Sequence, residues 1–591
     1  MSENKIKEVV KKIFVEAFPE LRREKFNFNK PQSDFRDWDS FMHMKLISSM
    51  EVALDVRLAI ERTIDADSAA KFVEIIRDAT SATGSKEAVS MDFKACKNFL
   101  DILDYWASKT PDKIFVTAIS NGLSYSYADF NGLVDLSGQF LKKKGLRKGD
   151  IVVVCVRNSV EFLILYFATM RLGGIINLVP PTVAEKELAA NITFLKPKLV
   201  FVEKKHFKSI SKRGVIRIEL EGEKAFLKAL YEFPAEKLHV EIQEDDPSCL
   251  YYSSGTTANP KGILFSHKSL VNMAILLCRE FGHNCHSIHF GILPMGHTSV
   301  MHHSLLPILY MGGTFIFSEN FISVRRDFWR IIEEHRINYV QTVPTVIFMI
   351  LNTAYPDFNK KRIALKYVAC GSAPLPEATK KAFERKFGLH IANLYGLSEV
   401  AHMIDDYPFI DRWKPGMIGR PMRDVDVRIL DNSGKEVKTG SVGEFAVKTP
   451  SLFMAYYKDK KLYDSSFKRG YFCTGDLGYR DKKGVFYFTG RKKDLIIKGG
   501  VNISPDLVDE VLIKHPCVEE VASIGKFDTF FGEVVKSFVV RKRGEKVSED
   551  ALFAYCKKKL GEFKSPSEIE FVDAIPKTFS GKILRRHLRG K

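Results

Sequence analysis

The sequence predicts an α/β protein with mostly parallel sheets, preceded by a small all-α helical bundle. Three observations favour this fold class. With 591 residues, of which 45% are hydrophobic, the chain is long enough to bury large cores in several domains. Beyond residue 92, short apolar runs alternate with helical patterns, which is typical of strand-helix-strand units. The first 80 residues are marked by helical periodicity instead.

The predicted N-terminal bundle comprises residues 1–80. Apolar residues recur at helical spacing in two segments and predict a helix in each. They are Ile6, Val9, Val10, Ile13 and Phe14 in the first segment and Phe41, Met44, Ile47 and Leu54 in the second. A third helix is expected around residues 66–79. The polar residues 81–91 predict a flexible linker to the next domain.

The dipeptide Asp39-Ser40 stands where the second helix begins. Either residue could simply cap the helix, although position 43 is His, so no capping box is formed. The stretch also resembles the attachment site of acyl carrier proteins, with Phe41 where leucine is usual. That resemblance implies a 4′-phosphopantetheine on Ser40, added by a phosphopantetheinyl transferase.

Residues 92–490 are predicted to form a large α/β domain. Strands are expected at 114–118, 150–156, 175–179 and 367–370, and helices at 127–144 and 159–172. The strand segments are apolar without alternation, which indicates sheets buried on both faces.

Composition and charge narrow the classes of function. The formal net charge is +18, yet residues 1–90 hold 15 Lys/Arg and 16 Asp/Glu, so the basic excess lies in the remainder. This suits an anionic substrate, and no arginine-rich tail or aromatic-basic array indicates nucleic-acid binding. The nine scattered cysteines contain no CxxC pair and predict free thiols. Without a signal segment or a long apolar run, we expect a cytoplasmic protein with no stable membrane insertion.

The strongest local signal is the segment 251–262, YYSSGTTANPKG. Its hydroxyls can donate hydrogen bonds to phosphate oxygens, its glycines let the backbone approach, and its lysine adds a cation. These residues are Ser253, Ser254, Gly255, Thr256, Thr257, Lys261 and Gly262. Pro260 directly before the lysine excludes the common phosphate loop of ATPases. The alternative for such a stretch is a flexible surface turn.

Four later motifs follow in the chain. They are Gly371-Ser372-Ala373, Tyr395-Gly396-Leu397-Ser398-Glu399, Thr474-Gly475-Asp476 and Gly490-Arg491, and a basic segment around Lys582 comes last. Alone, each is a glycine-containing loop or a solvated basic tail. In this order, and together with the segment 251–262, they resemble the adenylate-forming superfamily of acyl-CoA synthetases, aryl-acid ligases, peptide-synthetase adenylation domains and luciferases.

The resemblance implies a nucleotide site for ATP and Mg²⁺. The loop around Thr256 would bind the phosphates, and Gly371, Ser372, Ala373, Tyr395, Gly396 and Ser398 would line the adenine and α-phosphate. Glu399 would bind magnesium, for which carboxylate oxygens are suitable ligands. Asp476 would accept the ribose hydroxyls, with Arg491 as its basic partner.

The resemblance also implies a small, mobile α+β C-terminal domain at 491–591. Lys493 would be its hinge, and Lys582 the catalytic lysine. Gly499, Gly500 and Asn502 would line the channel for pantetheine.

The segment 281–318 is expected to contact the acyl group. Its six histidines match no zinc-binding spacing. It contains no Asp or Glu, and a buried ammonium without a partner is costly, so an α-amino acid substrate is disfavoured. Met295 and its apolar neighbours favour an apolar acyl or aryl group, and the resemblance places His297 in the acyl pocket.

Together these features predict an enzyme that activates a carboxylic acid as acyl-AMP and transfers it to a pantetheine thiol, foremost that on its own Ser40. The alternative is a free-standing acyl- or aryl-CoA ligase whose N-terminal module only docks. A non-catalytic scaffold is a third interpretation. Since no transferase or thioesterase motif is evident, a downstream enzyme would consume the acyl group.

Overall fold

A computed structural model describes residues 3–24, 26–35, 38, 40–54, 63, 66–81, 96–203, 215–220, 225–234, 236–253, 261–407, 414, 416–577 and 583–589. The chain divides into two compact units. The first is made of residues 1–95 with 407–413, and the second of residues 96–406 with 414–591.

The first unit contains three described helices. They are α1 (Glu3–Ala17), α2 (Ser40–Leu54) and α3 (Ala69–Ser81). Their apolar faces enclose an aromatic core in which Phe14 packs edge-on against Trp38 and Phe72. His43 lies in this core, where it accepts a hydrogen bond from Trp38 Nε1 at 3.1 Å and contacts Thr63 O at 2.7 Å. Position 43 therefore serves core packing, which explains why no capping-box residue stands there.

The second unit begins with strands and helices that alternate along the chain. The strands up to residue 266 are β1 (Ile114–Ala118), β2 (Ser124–Ser126), β3 (Ile151–Cys155), β4 (Ile175–Leu178), β5 (Leu199–Glu203), β6 (Val215–Ile218), β7 (Pro247–Ser253) and β8 (Lys261–Ser266). The helices in this part are α4 (Phe99–Lys109), α5 (Tyr127–Lys143), α6 (Val160–Arg171), α7 (Glu185–Leu195) and α8 (Phe226–Leu230).

The alternation continues to residue 395, and strands predominate from there to residue 491. The strands are β9 (Ile288–Gly291), β10 (Thr314–Phe317), β11 (Tyr339–Thr342), β12 (Tyr367–Cys370), β13 (His390–Tyr395), β14 (Ile404–Asp405), β15 (Met417–Pro421), β16 (Asp426–Leu430), β17 (Gly443–Lys448), β18 (Ala455–Tyr456), β19 (Phe467–Lys468), β20 (Tyr471–Arg480) and β21 (Phe486–Arg491). The helices are α9 (His267–Phe281), α10 (Thr298–Val300), α11 (Leu306–Met311), α12 (Phe321–Val324), α13 (Phe328–Glu334), α14 (Pro344–Leu351), α15 (Glu377–Phe387) and α16 (Lys460–Ser465). One turn of π-helix, Met301–Leu305, joins α10 to α11.

These strands form two sheets. In the smaller sheet, with the order β18-β8-β7-β4-β3-β5-β6, the strands from β7 to β6 run parallel. In the larger sheet, β1, β10, β9, β11, β12 and β13 run parallel. Beyond β13 the larger sheet continues in the order β14-β15-β21-β20-β17-β16, and each neighbouring pair is antiparallel. The predicted α/β class is thus confirmed, with mixed sheets, because short connections after β13 permit antiparallel pairing.

The last hundred residues add a third, five-stranded sheet. The strands of this sheet are β22 (Ile496–Lys498), β23 (Val501–Ile503), β24 (Val518–Asp528), β25 (Gly532–Arg541) and β26 (Glu568–Phe571). The helices of this part are α17 (Pro505–Leu512) and α18 (Glu549–Leu560). Helices α17 and α18 cover one face of the sheet with a core that includes Val508, Leu512 and Leu552. This arrangement is the α+β type expected for the C-terminal part.

Candidate active site

The candidate site lies where several strands of the second unit end. Ser253 ends β7, Cys370 ends β12 and Tyr395 ends β13, and each is followed by one of the motifs singled out above. Ligands of open α/β sheets bind at the carboxyl ends of parallel strands. The topology therefore brings motifs that are far apart in sequence to sheet edges of the same polarity.

Glu399 is held by a tyrosine that the sequence did not indicate. Tyr456 donates its hydroxyl proton to Glu399 Oε1 at 2.8 Å, and the ammonium of Lys261 lies 5.1 Å from the centroid of the Tyr456 ring. Burial and the adjacent carboxylate raise the pKa of Tyr456, so its hydroxyl remains a donor. The pairing of β18 with β8 places Tyr456 opposite Ile263. The phosphate-loop lysine and the expected magnesium ligand thus share one aromatic contact.

Two tight turns shape the backbone of the site. A Cβ at Gly396 would lie 2.0 Å from Ala401 O, and one at Gly371 would lie 2.9 Å from Leu394 O. Ser372 adopts the left-handed region with φ of 70°. Only glycine fits such close backbone approaches. The turn after β13 therefore folds back on itself and presents Ser398 and Glu399 at partly exposed positions.

Asp476 is fixed on both of its oxygens. Tyr395 donates its hydroxyl proton to Oδ2 at 2.7 Å, and Arg491 Nε lies 3.2 Å from Oδ1, across the β20–β21 pairing that sets the two residues opposite each other. Burial and the adjacent Asp476 carboxylate raise the pKa of Tyr395. A carboxylate so positioned matches the role that the resemblance implies for Asp476, acceptor of the ribose hydroxyls.

A second carboxylate supports the turn that carries Asp476. Glu444 accepts a hydrogen bond from Gly475 N at 3.0 Å and pairs with Lys492 at 3.1 Å. Gly475 has a φ of 74°, which favours glycine. Neither Glu444 nor Tyr456 belongs to a recognisable local motif. Each is brought to the site by strand pairing alone, so no sequence signal could have identified it.

The expected hinge lies beside the nucleotide-site residues. Lys493 is in a short 3₁₀ turn, Lys492–Asp494, directly after Arg491. Partial burial and the neighbouring charges of Arg491 and Lys261 lower the pKa of Lys493. The boundary between the large sheet and the C-terminal sheet is therefore adjacent to the phosphate-loop lysine.

The expected pantetheine residues form an exposed hairpin tip. Gly499 and Gly500 have φ of 53° and 81° and make the two-residue turn between β22 and β23. Asn502 is exposed on β23. Lys498 lies 5.4 Å from the centroid of the Phe531 ring.

The loop expected to carry the catalytic lysine is anchored at both ends. Lys577 and Ile583 form an antiparallel bridge on either side of it. Arg585 then donates from Nη2 to Asp506 Oδ1 and Asp509 Oδ2, both at 2.6 Å. Lys582 lies outside the described residues, as do Ser254, Gly255, Thr256 and Thr257. For Ser253 and Ser40 the structure describes the backbone but not the side chain. Ser40 is the first residue of α2.

The two expected acyl-pocket residues differ in exposure. Met295 is fully buried, and its backbone N–H donates to Asn158 Oδ1 at 2.7 Å. His297 is exposed at the start of α10. Within the described ranges, no three His, Cys, Asp or Glu side chains converge as a metal site would require, and no helix is long and apolar enough to cross a membrane.

The fold and the arrangement of these motifs define an AMP-forming ligase, and comparison with known families agrees. A family model described as AMP-binding enzyme matches residues 103–457, and one described as AMP-binding enzyme C-terminal domain matches residues 507–582. The chain belongs to the AMP-binding enzyme family. The predicted enzyme class, an AMP-forming acid–thiol ligase, is confirmed.

Named relatives are similar over most of their length. Sulfoacetate–CoA ligase from Cupriavidus necator is 29% identical over 493 residues, which cover 82% of this chain and 95% of the relative. Long-chain-fatty-acid–CoA ligase from Bacillus subtilis is 29% identical over 538 residues, covering 83% of this chain and 94% of the relative.

Among solved structures, ATP-bound MatB from Rhodopseudomonas palustris superposes with a TM-score of 0.76 at 27% identity, covering 83% of this chain and 98% of that one. The apo form of the same protein gives 0.67, also at 27% identity. The present arrangement is thus nearer to the ATP-bound form. Residues 1–102 lie outside both family models, and the acyl carrier resemblance remains a prediction.

Proposed function

We propose that this protein joins a carboxylic acid to the thiol of CoA through an acyl-AMP intermediate, with cleavage of ATP to AMP and pyrophosphate. The observation that carries the proposal is the linked set Lys261, Tyr456 and Glu399. It places a phosphate-binding cation and a carboxylate beside one another, as a site for a metal-bound polyphosphate requires.

In the first step the acid's carboxylate oxygen attacks the α-phosphorus of ATP, and the bond to pyrophosphate breaks. Both reactants are anions, so catalysis depends mainly on position and positive charge. Lys261, Lys582 and the hydroxyl-bearing loop supply the positive charge and the hydrogen bonds. Mg²⁺ bound by Glu399 would neutralise charge on the phosphates. One oxygen of Glu399 is held by Tyr456 and the residue is only partly exposed, which suits a positioned metal ligand.

Asp476 orients the nucleotide in this scheme. Its carboxylate is immobilised by Tyr395 and Arg491, so a ribose that donates both hydroxyls to it is held without further ordering of the side chain.

In the second step a thiol attacks the acyl carbon and AMP leaves. We infer that residues 491–591 turn about Lys493, which withdraws Lys582 and brings the turn of Gly499 and Gly500 to the acyl-adenylate. Such domain motions often limit turnover.

CoA is favoured as the acceptor by the extent of the family match. Relatives that are named CoA ligases align over 94–95% of their own length, while residues 1–102 of this chain lie outside the family models. Such relatives therefore have little length beyond the region that they share with this chain. Loading of a phosphopantetheine on Ser40 is the second candidate, favoured by the position of Ser40 at the start of α2 in a separate helical unit.

The test incubates the protein with ATP, magnesium, CoA and a panel of fatty, hydroxy and aryl acids. Release of AMP and formation of acyl-CoA, read by mass spectrometry, are expected for at least one acid. Glu399→Gln should abolish both, whereas Glu436→Gln, an exposed surface change, should not. No AMP release with any acid would contradict the proposal.

A second arm separates the two acceptors. The protein is first treated with a phosphopantetheinyl transferase and CoA, then with ATP and the acids. If CoA is the acceptor, the intact mass stays unchanged and acyl-CoA accumulates. An acyl increment that disappears in Ser40→Ala would instead establish loading of the protein's own arm.

A further inference from the structure

Buried histidines and one tyrosine contact one another in the second unit. We call this group the histidine layer, and its members are His283, His289, His303, Tyr339 and His402. The rings of His283 and His289 lie 4.3 Å apart, and those of His289 and Tyr339 lie 4.5 Å apart. The rings of His303 and His402 are 5.6 Å apart. Phe281 joins the two groups, at 5.9 Å from His283 and 5.8 Å from His402.

The layer is built from segments that also carry site residues. His402 is three residues beyond Glu399, in the segment that the tight turn of Gly396 folds back. His303 belongs to the π-helical turn Met301–Leu305, six residues beyond His297. Single π-turns occur often at functional sites. The layer thus includes His402 from the segment after Glu399, and His283, His289 and His303 from the segment 281–318, which is expected to contact the acyl group.

Hydrogen bonds to the protein fix the tautomer of His402. Its Nε2 lies 2.8 Å from Asp405 Oδ2, and since a carboxylate accepts, Nε2 carries the proton and donates. Nδ1 then bears a lone pair. It is buried and has no hydrogen-bond partner among the described residues.

The same reasoning applies to the other histidines. His289 Nδ1 donates to Ser304 O at 3.1 Å, so its Nε2 accepts from His283 Nδ1 at 3.3 Å. His283 Nε2 is left as a buried acceptor that no described residue satisfies. His303 Nδ1 donates to Ser299 O at 3.2 Å, which leaves Nε2 as an acceptor too.

Two buried acceptors, His402 Nδ1 and His283 Nε2, thus lack a partner among the described residues, and the histidines stay neutral. Burial lowers the pKa of His283 and His303 to about 3 each and that of His402 to about 4. At pH 7 none of them can become a donor by taking up a proton. A buried polar atom without a partner costs about 1–3 kcal/mol, so a donor that reaches either nitrogen would be stabilising. The hydroxyl of Tyr339 in the same layer is also without a partner among the described residues.

We propose that the acyl-binding part of the site takes a carboxylic acid whose chain bears a neutral hydrogen-bond donor, a hydroxyl or phenol group, which donates to His402 Nδ1. This inference rests on the proposed function. It departs from the apolar acid that the sequence favoured, because a plain alkyl chain leaves the acceptors unpaired. A distal carboxylate or sulfonate would bring further acceptors.

The charged groups around the layer support a neutral donor over an ammonium. Asp405 is engaged by His402, and Asp406 by Lys380 at 2.7 Å. Glu280, the buried carboxylate whose charge acts on His402, accepts a hydrogen bond from the backbone N–H of Arg423 at 3.2 Å. Each of the three carboxylates already has a partner. A hydroxyl needs no carboxylate partner and costs less to bury than a charge.

The test compares acids that differ only by a hydroxyl. Suitable pairs are 3-(4-hydroxyphenyl)propanoic with 3-phenylpropanoic acid and 6-hydroxyhexanoic with hexanoic acid. We expect kcat/KM for AMP release to be higher for the hydroxylated member of at least one pair, by about tenfold or more, because a site with buried acceptors rejects the analogue that cannot donate. Equal values in both pairs would overturn the inference, and water would then satisfy the layer.

Variants test whether the histidine layer causes the preference for the hydroxylated acid. His402→Phe should bring the ratio of kcat/KM between the hydroxylated acid and its deoxy analogue close to one, while the variant still activates the deoxy acid. His267→Phe is the matched control, since His267 is a buried histidine on α9 outside the layer, and the ratio should not change. If His402→Phe does not fold, His303→Phe replaces it. A preference that persists in the folded variants would overturn the assignment, whereas no AMP release with any acid would overturn the proposed function itself.

Discussion

At the scale of single residues, the candidate site depends on side chains whose freedom is removed by one or two partners. Asp476 is held by Tyr395 and Arg491, and Glu399 by Tyr456. In the function that we propose, the nucleotide and the metal ion meet carboxylates that are already positioned, which lowers the ordering cost at the moment of binding.

Tyr456→Phe should weaken adenylation. The variant removes the hydroxyl that donates to Glu399, and hydrogen bonds to charged groups contribute about 1.5–3 kcal/mol, which corresponds to roughly a 10- to 100-fold loss in kcat/KM. The magnesium concentration for half-maximal rate should also rise. Pyrophosphate exchange measured across a magnesium series checks both. Tyr457→Phe serves as the control, and an unchanged magnesium dependence in Tyr456→Phe would argue against the role of this contact.

Gly396→Ala should abolish activity through the backbone. Its Cβ would lie 2.0 Å from Ala401 O, so the turn that presents Glu399 must move. We expect pyrophosphate exchange to fall by about 100-fold or more and the protein to lose about 1–3 kcal/mol of stability. Gly132→Ala, at an exposed helical position with open space around it, should leave activity unchanged and stability equal or slightly higher. Comparable activity of the two variants would refute the strain argument.

At the scale of elements, strand ends place the motifs, and a few contacts anchor the end of the chain. Lys577 and Ile583, on either side of the segment of Lys582, form a bridge, and Arg585 is tied to α17. Two carboxyls, Asp506 and Asp509, share this one guanidinium. Burial raises the pKa of Asp509 to about 7. The positive charge of Arg585 lowers this pKa, and the negative charge of Asp506 raises it further.

This raised pKa predicts a pH dependence for the anchor. An acid whose pKa is higher in the folded state binds more protons when folded, so its contribution is present below about pH 4 and is lost as the pH rises through 7. The local stability of α17 should therefore decline by about 1–3 kcal/mol between pH 4.5 and 8. Amide hydrogen exchange of α17 measures it. Asp509→Asn should flatten this decline, and an equally steep decline in that variant would assign the effect to another group.

The helix and strand predictions succeeded where local pattern suffices. The strands at 114–118 and 367–370 were predicted with the observed limits, and the helix at 127–144 differs by one residue from Tyr127–Lys143. Apolar runs of strand length and amphipathic spacing are local properties. The antiparallel continuation of the large sheet beyond β13 was not predicted, because strand pairing depends on contacts that are distant in sequence.

At the scale of the whole molecule, the chain combines the family's two matched regions with an N-terminal unit that has its own core. Curated relatives align over nearly all of their own length without covering all of this chain. The chemistry of acid activation is therefore expected to be complete within the second unit.

Removal of residues 1–95 should leave acid activation intact. We expect pyrophosphate exchange of the shortened protein to stay within about twofold of the full chain, since additive behaviour is the rule for independent units. Thermal unfolding of the shortened protein provides the folding control. A folded but inactive shortened protein would show that the N-terminal unit takes part in the first step.

By itself, the sequence determined the α/β class and the order of the motifs, because turn glycines, hydroxyl-rich loops and apolar periodicity act over a few residues. The resemblance of those motifs to a known family then implied the class of chemistry. Only the tertiary structure decided that Tyr456, 57 residues from Glu399, holds that carboxylate, and that Tyr395, 81 residues from Asp476, holds the other. It also decided which nitrogen of His402 is an acceptor, and so the polarity of the acyl group we propose. The physical reason is that strand register and burial set these contacts, and neither can be read from local spacing.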